Sequence, residues 1–114
     1  MEVKGECYHV IYDPATATVT FQGSLMLSGP SDYEPIEQLL DKVMLQAPAT
    51  ITLDIRPLVY LNSSGINILS RFVLKMRARL ESKLVMLGQS SVPWQSKSLL
   101  NMQRLMPRLR LELV

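Results

Sequence analysis

The sequence predicts a single α/β domain in which helices alternate with the strands of a mixed β-sheet. Three observations support this fold class. Short runs of β-branched and aromatic residues recur along the chain, amphipathic runs with helical spacing lie between them, and glycine or proline separates most of them. The chain has 114 residues, of which 47% are hydrophobic, so it has the length and apolar content for one domain over residues 1–114.

The first half of the predicted domain is a β-hairpin followed by a helix. Residues 7–12 and 18–27 are rich in β-forming residues, and the Asp-Pro pair between them favours a tight turn. A Ser-Gly-Pro sequence then ends the second strand. Apolar residues recur at helical spacing over 36–44, and Pro48 ends this helix.

The second half continues the alternation. Residues 50–55 predict a buried central strand, and residues 66–80 predict an amphipathic helix. Residues 84–87 predict another strand, 94–106 a third helix and 109–113 a last edge strand. The predicted order is β-β-α-β-α-β-α-β, with crossover helices joining the parallel strands. The predicted edge strands, residues 109–113 or residues 7–12, are the expected route to a weak homodimer.

Composition excludes several functional classes. Twelve Lys and Arg side chains against ten Asp and Glu give a formal net charge of +2, too small to indicate nucleic acid or an anionic membrane as the main partner. The single Cys7 has no disulfide partner and no metal-ligand spacing around it. Because no apolar run is long enough to span a bilayer and no signal segment is evident, we expect a cytoplasmic protein. No cofactor, metal site or catalytic constellation is predicted, so we expect a non-enzyme.

The most informative segment is Asn62-Ser63-Ser64-Gly65, which joins an apolar, strand-like run to the helix predicted over 66–80. Two adjacent hydroxyls at such a turn lie where the free N–H groups of a helix start point outward. This arrangement suits an anion, including a phosphate attached to one of the serines. The structural alternative is that Ser63 simply caps the helix, a contribution of roughly 1 kcal/mol.

The element order and this segment together resemble the STAS domain, the fold of bacterial anti-sigma-factor antagonists, over nearly the whole chain. In that family a strand that reads like Leu-Asp-Leu leads to an Asp-Ser-Ser-Gly motif that opens a helix, as residues 51–55 and 61–66 do here. A Gly-x-Leu step at the end of the second strand is matched by Gly23-Ser24-Leu25. The resemblance is closest to short, free-standing STAS regulators of the cyanobacterial kind.

The resemblance implies a regulatory protein that works by partner switching. Its implied partner is a serine kinase of the histidine-kinase-like ATPase family that doubles as an anti-sigma factor. Unphosphorylated antagonists bind this kinase and free the sigma factor, and a metal-dependent serine phosphatase restores them after phosphorylation. The implied phosphoacceptor is Ser63, with Ser64 as the alternative. The implied partner-binding residues are Asn62, Ser63, Ser64, Gly65, Ile66, Gly23, Leu25, Met26 and Trp94.

Two positions depart from the family pattern. Asn62 stands where the family has Asp, and Met26 stands where antagonists often have Asp. Both departures favour an alternative in which the domain binds partners constitutively, without phosphorylation. A further alternative is small-ligand or lipid carriage, which requires a sizeable apolar pocket. Trp94 is interpreted either as a lid on the core or as a binding residue near Ser63.

Arginine recurs near the end of the chain, at Arg104, Arg108 and Arg110. The preferred interpretation is a set of solvated helix residues. The functional alternative is contact with an acidic partner surface.

Overall fold

The computed structural model describes residues 1–114 and confirms the predicted α/β class. The strands are β1 (Glu2–Lys4), β2 (Tyr8–Asp13), β3 (Thr18–Leu25), β4 (Thr50–Asp54), β5 (Leu58–Leu61), β6 (Lys83–Gly88) and β7 (Arg110–Leu113). The helices are α1 (Pro30–Leu45), α2 (Ser63–Arg77) and α3 (Pro93–Leu105). The predicted order is therefore observed, with two short strands, β1 and β5, in addition.

All seven strands belong to one mixed sheet. β1, β2 and β3 are antiparallel neighbours, whereas β3, β4, β6 and β7 run parallel in that order. β5 also lies beside β3, because β4 pairs with residues 18–20 of β3 and β5 pairs with residues 23–25. The helices provide the crossover connections that parallel neighbours require. β1 and β7 form the two edges of the sheet. The strand predicted over 109–113 is therefore an edge, whereas the strand predicted over 7–12 is not, because β1 pairs with it.

One hydrophobic core of 26 buried side chains joins the sheet to the helices. In β4 and β6, buried residues alternate with more exposed ones, so only one face of these strands packs into the core. The apolar stripe of α2 fixes the rotation of that helix. Its buried members are Gly65, Ile68, Leu69, Phe72, Val73 and Met76. None of the three helices has both the length and the apolar character of a membrane span.

α2 begins and ends three residues earlier than the predicted span 66–80. It begins early because Asn62 caps it. It ends early because the Arg108 guanidinium donates to the carbonyls of Met76 and Arg79, at 2.9 Å and 3.0 Å, and so holds the last turn. Arg108 therefore binds the end of a helix and is not part of a solvated helix surface as predicted.

β3 changes its partner at a bulge centred on Gly23. The φ of Gly23 is +88°, a conformation that favours glycine, and a Cβ there would lie 2.2 Å from the carbonyl oxygen of Cys7. The Gly23 N–H donates to the Pro57 carbonyl at 3.1 Å, and the Ser24 N–H donates to the Cys7 carbonyl at 2.8 Å. The bulge thus brings the end of β3 alongside β5, the strand that leads to Asn62.

Candidate functional site

The strand-to-helix turn at Asn62 is held by backbone hydrogen bonds on both sides. β5 ends at Leu61, which pairs with Leu25 at the end of β3. The Asn62 N–H continues this pairing by donating to the Leu25 carbonyl at 3.1 Å. On the helix side, the Ile66 N–H donates to the Asn62 carbonyl at 2.9 Å. The position of the first turn of α2 is therefore set by the sheet.

The side-chain amide of Asn62 uses both its donor and its acceptor. Its Oδ1 accepts from the Gly65 N–H at 3.0 Å, which caps α2, and from the Tyr33 hydroxyl at 2.6 Å. Its Nδ2 donates to the Leu27 carbonyl at 2.9 Å. A carboxylate has no N–H to offer that carbonyl, which gives a structural reason for Asn at position 62, where the family has Asp.

The structural alternative for Ser63 is wrong, because Asn62 caps the helix. Ser63 is instead the first helical residue, and its side chain is exposed. No acidic side chain lies in the first turn of α2, so the positive end of the helix dipole is uncompensated there. Ser64 is half-buried and lines a surface depression of about 350 Å³ together with Arg71.

Gly65 lets α1 and β5 approach the start of α2 closely. A Cβ at Gly65 would lie 2.2 Å from Leu61 Cδ1 and 2.8 Å from the Tyr33 hydroxyl oxygen. The apolar cavity beside Gly65 measures about 10 Å³, which leaves no room for an acyl chain at this point. Tyr33 is only 1% exposed, and burial raises the pKa of its hydroxyl. The hydroxyl therefore stays protonated and donates to Asn62.

Replacing Tyr33 by phenylalanine is expected to lower the free energy of unfolding by about 1 kcal/mol at neutral pH, because one hydrogen bond to Asn62 is lost. Because the pKa of Tyr33 is raised in the folded protein, its contribution to stability depends on pH. The stabilisation is complete below about pH 10, the pKa of the side chain in the unfolded chain, and it is lost as the pH rises through the pKa in the folded protein. Urea unfolding at pH 7 and at about pH 10.5 measures both effects.

Tyr60→Phe is the control for this measurement, since Tyr60 is 46% exposed. The Tyr33→Phe variant should lose less stability than wild type between the two pH values, and Tyr60→Phe should behave as wild type. An equal alkaline loss in all three proteins would contradict the role given to Tyr33.

Exposed apolar side chains follow β3 and lie on β5, the strand that leads to Ser63. Met26 is 59% exposed, Val59 is 66% exposed and Tyr60 is 46% exposed. These side chains emerge from the ends of β3 and β5, where the two strands are paired. Met26 also lines a surface depression of about 360 Å³ that includes Cys7. Large apolar side chains that remain exposed in this way are typical of protein-binding surfaces.

The other predicted contact residues lie deeper. Leu25 is 1% exposed and Gly65 is buried, so both position the turn and neither offers a surface to a partner. Gly23 forms the bulge, and Ile66 is half-buried against the core. The exposed part of the predicted site therefore reduces to Ser63 and Met26, with Val59 and Tyr60 as neighbours that sequence reasoning missed.

Trp94, at the start of α3, contacts the free edge of β5. Its side chain is half-buried, and its Nε1 donates to the Val59 carbonyl at 3.0 Å and the Leu58 carbonyl at 3.3 Å. Trp94 packs against the core and also lies behind the strand that carries Val59 and Tyr60. The packing of Trp94 fits its interpretation as a lid on the core, and its role as a binding residue near Ser63 stays a prediction.

Gln95 is a buried polar residue that sequence reasoning missed. It is 0% exposed, and its Nε2 donates to the carbonyls of Ile55 and Leu58 at 2.7 Å and 2.9 Å. Its Oε1 accepts from the Gln89 N–H at 2.7 Å. Because glutamine on an amphipathic helix is normally exposed, its position in the sequence carries no signal of this role.

Two further titratable groups, Asp54 and His9, are engaged in local pairs. Burial raises the pKa of Asp54, but hydrogen bonds from Arg56, one of them at 2.9 Å, outweigh this effect and the pKa is lowered. His9 lies 2.8 Å from Glu2 at the edge of the sheet. No group of three or more His, Cys, Asp or Glu side chains is arranged to hold a metal ion.

Solved structures provide the comparison for this geometry. One match is a crystal structure described as the diguanylate cyclase SiaD in complex with its activator SiaC from Pseudomonas aeruginosa. The TM-score is 0.76 at 11% sequence identity, and the match covers 100% of this chain and 99% of that chain. A second SiaC structure gives a TM-score of 0.74 at 12% identity, covering 100% and 98%. No protein-family model matches the chain, and no curated protein matches it.

An anti-sigma-factor antagonist from Mycobacterium paratuberculosis matches with a TM-score of 0.61 and 15% identity, covering 96% of this chain and 82% of that one. The chain therefore has the STAS-like fold of anti-sigma-factor antagonists, which confirms the resemblance drawn from residues 51–66. Within that fold class, SiaC matches the chain over its entire length.

Proposed function

We propose that this protein is a regulatory protein-binding module of the anti-sigma-factor-antagonist type, switched by phosphorylation of Ser63. The observation that supports the proposal most directly is that two different residues cap the helix and present the exposed hydroxyl at the start of α2. Asn62 caps the helix, so the Ser63 side chain remains exposed at its first position. A hydroxyl in this position is accessible to a kinase. Ser64 is half-buried and is the less accessible acceptor.

Phosphorylation at this position changes the surface without refolding the chain. A phosphoryl group on Ser63 adds a charge of about −1.5 to −2. The N-terminus of α2 accommodates this charge, since its first turn contains no acidic side chain. A partner that covers the exposed apolar side chains of Met26, Val59 and Tyr60 would have to desolvate the same charge. The phosphorylated form therefore releases a partner that the unmodified form binds.

The fold resemblance supports a protein as the partner. The proposed partner is a serine kinase of the histidine-kinase-like ATPase family that acts as an anti-sigma factor, with a metal-dependent phosphatase that reverses the modification. SiaC, which has the same fold, is described as an activator bound to a diguanylate cyclase. A signalling enzyme as the bound partner is thus compatible with this architecture. We place the protein in the cytoplasm.

The test is partner capture from the native cell with wild type, Ser63→Ala and Ser63→Asp, combined with mapping of phosphate by mass spectrometry. Ser63→Ala should retain the partner. Ser63→Asp should weaken binding at least about tenfold, because it places a permanent charge at the contact. Incubation with the captured kinase and ATP should modify wild type at Ser63 and leave Ser63→Ala unmodified.

Thr16→Asp is the matched control, because it adds one negative charge at an exposed position in the turn between β2 and β3. It should bind as wild type does. If phosphate never appears at Ser63 and Ser63→Asp binds normally, the switch does not exist.

A second candidate is constitutive binding through the same surface. Met26 supports it, since an apolar side chain 59% exposed contributes to a contact that needs no charge. In that case Ser63→Ala and Ser63→Asp bind alike, while Met26→Ser weakens the complex.

A further inference from the structure

The charge of the chain is divided unequally along its length. Residues 77–114 carry seven Lys and Arg side chains against two Glu, whereas residues 1–76 carry five against eight Asp and Glu. The formal net charge of +2 conceals this asymmetry. A local excess of cations, rather than the total, determines how a surface interacts with an anionic partner.

The fold gathers these cations at one end of the molecule, which we call the basic end. α2 and α3 end here, and β6 and β7 begin here. The cations of the basic end are Arg77, Arg79, Lys83, Arg104, Arg108 and Arg110. Ser63 lies at the other end of α2, about 21 Å away for a helix of this length.

Contacts between these elements place the cations side by side. Lys83, Arg108 and Arg110 line one surface depression of about 430 Å³. The Arg77 side chain reaches the end of α3, where it donates to the Leu105 carbonyl at 3.3 Å. Arg110 has the one ion pair of the basic end, at 2.8 Å to Glu112, and Arg110 remains 74% exposed. The other cations have no carboxylate partner.

Helix ends explain only part of this arrangement. A cation in the last turn complements the helix dipole, which accounts for Arg77 and Arg104. Arg108 binds carbonyls at the end of α2. The dipole gives no reason for Lys83 and Arg110, which begin strands.

Two leucines protrude from the same end. Leu80 is 81% exposed, the largest exposed fraction among the large hydrophobic side chains, and it lines the depression with Lys83. Leu45 is 68% exposed in the last turn of α1. The segment that follows α1 contacts the turn between α2 and β6, because the Ser82 hydroxyl donates to the Pro48 carbonyl at 3.0 Å. Leu80 therefore borders the cations, and Leu45 lies at the same end of the molecule.

We propose that the basic end is a docking surface for an anionic lipid bilayer. Clusters of four to eight Lys and Arg side chains are attracted to anionic headgroups, and protruding leucines insert at the interface between headgroups and acyl chains. A nucleic acid or an acidic protein segment would use the same cations, but neither would require exposed leucines beside them. In the docked state Ser63 faces away from the membrane and stays accessible to its partners.

The test is sedimentation with phosphatidylcholine vesicles that contain about one-third phosphatidylglycerol, compared with pure phosphatidylcholine vesicles, at about 0.1 M NaCl. Wild type should sediment with the anionic vesicles alone and should be released at about 0.5 M NaCl. Each Lys or Arg near such a surface contributes about fivefold to partitioning, so Lys83→Glu with Arg104→Glu should weaken it at least about 25-fold. Leu80→Ser should weaken it about three- to tenfold.

The matched control reverses two exposed lysines elsewhere, Lys4→Glu with Lys97→Glu, which changes the net charge equally. It should retain binding within about threefold of wild type, since distant exposed charges are screened. All substituted side chains are exposed, and circular dichroism verifies the fold of each variant. The proposal is overturned if wild type stays in the supernatant with anionic vesicles or if both double variants lose binding equally. It is also overturned if Leu80→Ser binds as wild type does, a result that points to an acidic protein or a nucleic acid.

Discussion

Replacing Gly23 by alanine is expected to lower the free energy of unfolding by about 3 kcal/mol or more. Two costs add at this position. The φ of +88° strains any residue with a Cβ, and the new Cβ would lie 2.2 Å from the backbone oxygen of Cys7. Because that neighbour is main chain and not a flexible side chain, β2 and β3 must move apart. The bulge that places β5 beside β3 is then lost.

Gly29→Ala provides the control for this prediction. Gly29 has an extended backbone, and a Cβ there meets nothing within 4 Å. Its replacement should change the free energy of unfolding by less than about 0.5 kcal/mol. Urea unfolding measures the free energy of unfolding of both variants. Equal values would show that the bulge at Gly23 tolerates a side chain. Partner binding should fall with Gly23→Ala as well, since Met26 follows the bulge.

The second large effect is expected for Gln95→Leu, which has similar volume but no polar atoms. The substitution leaves the half-buried Gln89 N–H without its partner. It also removes one of the two hydrogen bonds at each of the Ile55 and Leu58 carbonyls, which still accept from the Leu58 N–H and the Trp94 Nε1. Each buried polar group without a partner costs about 1–3 kcal/mol. We expect a loss of about 1–3 kcal/mol in the free energy of unfolding, from one N–H without a partner and two weakened carbonyl contacts, after the gain from the apolar side chain is subtracted.

Gln38→Leu is the matched control, because Gln38 lies on the exposed side of α1 and bonds only to Glu34. Its effect should stay within about 0.5 kcal/mol. Hydrogen exchange gives a second measurement. In Gln95→Leu the amides of β5 should exchange faster than those of β2, which Gln95 does not contact. Uniform acceleration of all strands would argue against a local role for Gln95.

The local pattern of the sequence was sufficient for the main architecture. β2, β3, β4 and β6 have β-rich sequences, and the apolar stripes of α1, α2 and α3 recur at helical spacing, so these elements were predicted to within a few residues. β5 was not counted as a strand, because its buried ends, Leu58 and Leu61, enclose the exposed pair Val59 and Tyr60. A strand with this pattern shows no alternation of period two.

The location of the candidate site could be predicted from the sequence, but the hydrogen bonds that form it could not. Residues 62–65 indicated a turn that opens a helix, and the structure has this turn. The sequence could not assign the cap to Asn62, because that role depends on Tyr33 and Leu27, which are distant along the chain. The basic end could not be predicted for a related reason. The net charge is a sum over the whole chain and does not show where each cation lies in the fold.

Trp94 is the single tryptophan of the chain, and its indole N–H bonds to the carbonyl of Val59, an exposed residue of the strand that leads to Ser63. Its ultraviolet emission therefore arises from one known place, behind the strand that a docked partner would cover. A shift of the tryptophan emission maximum, or quenching of the emission, on complex formation reports directly on that strand without any attached dye.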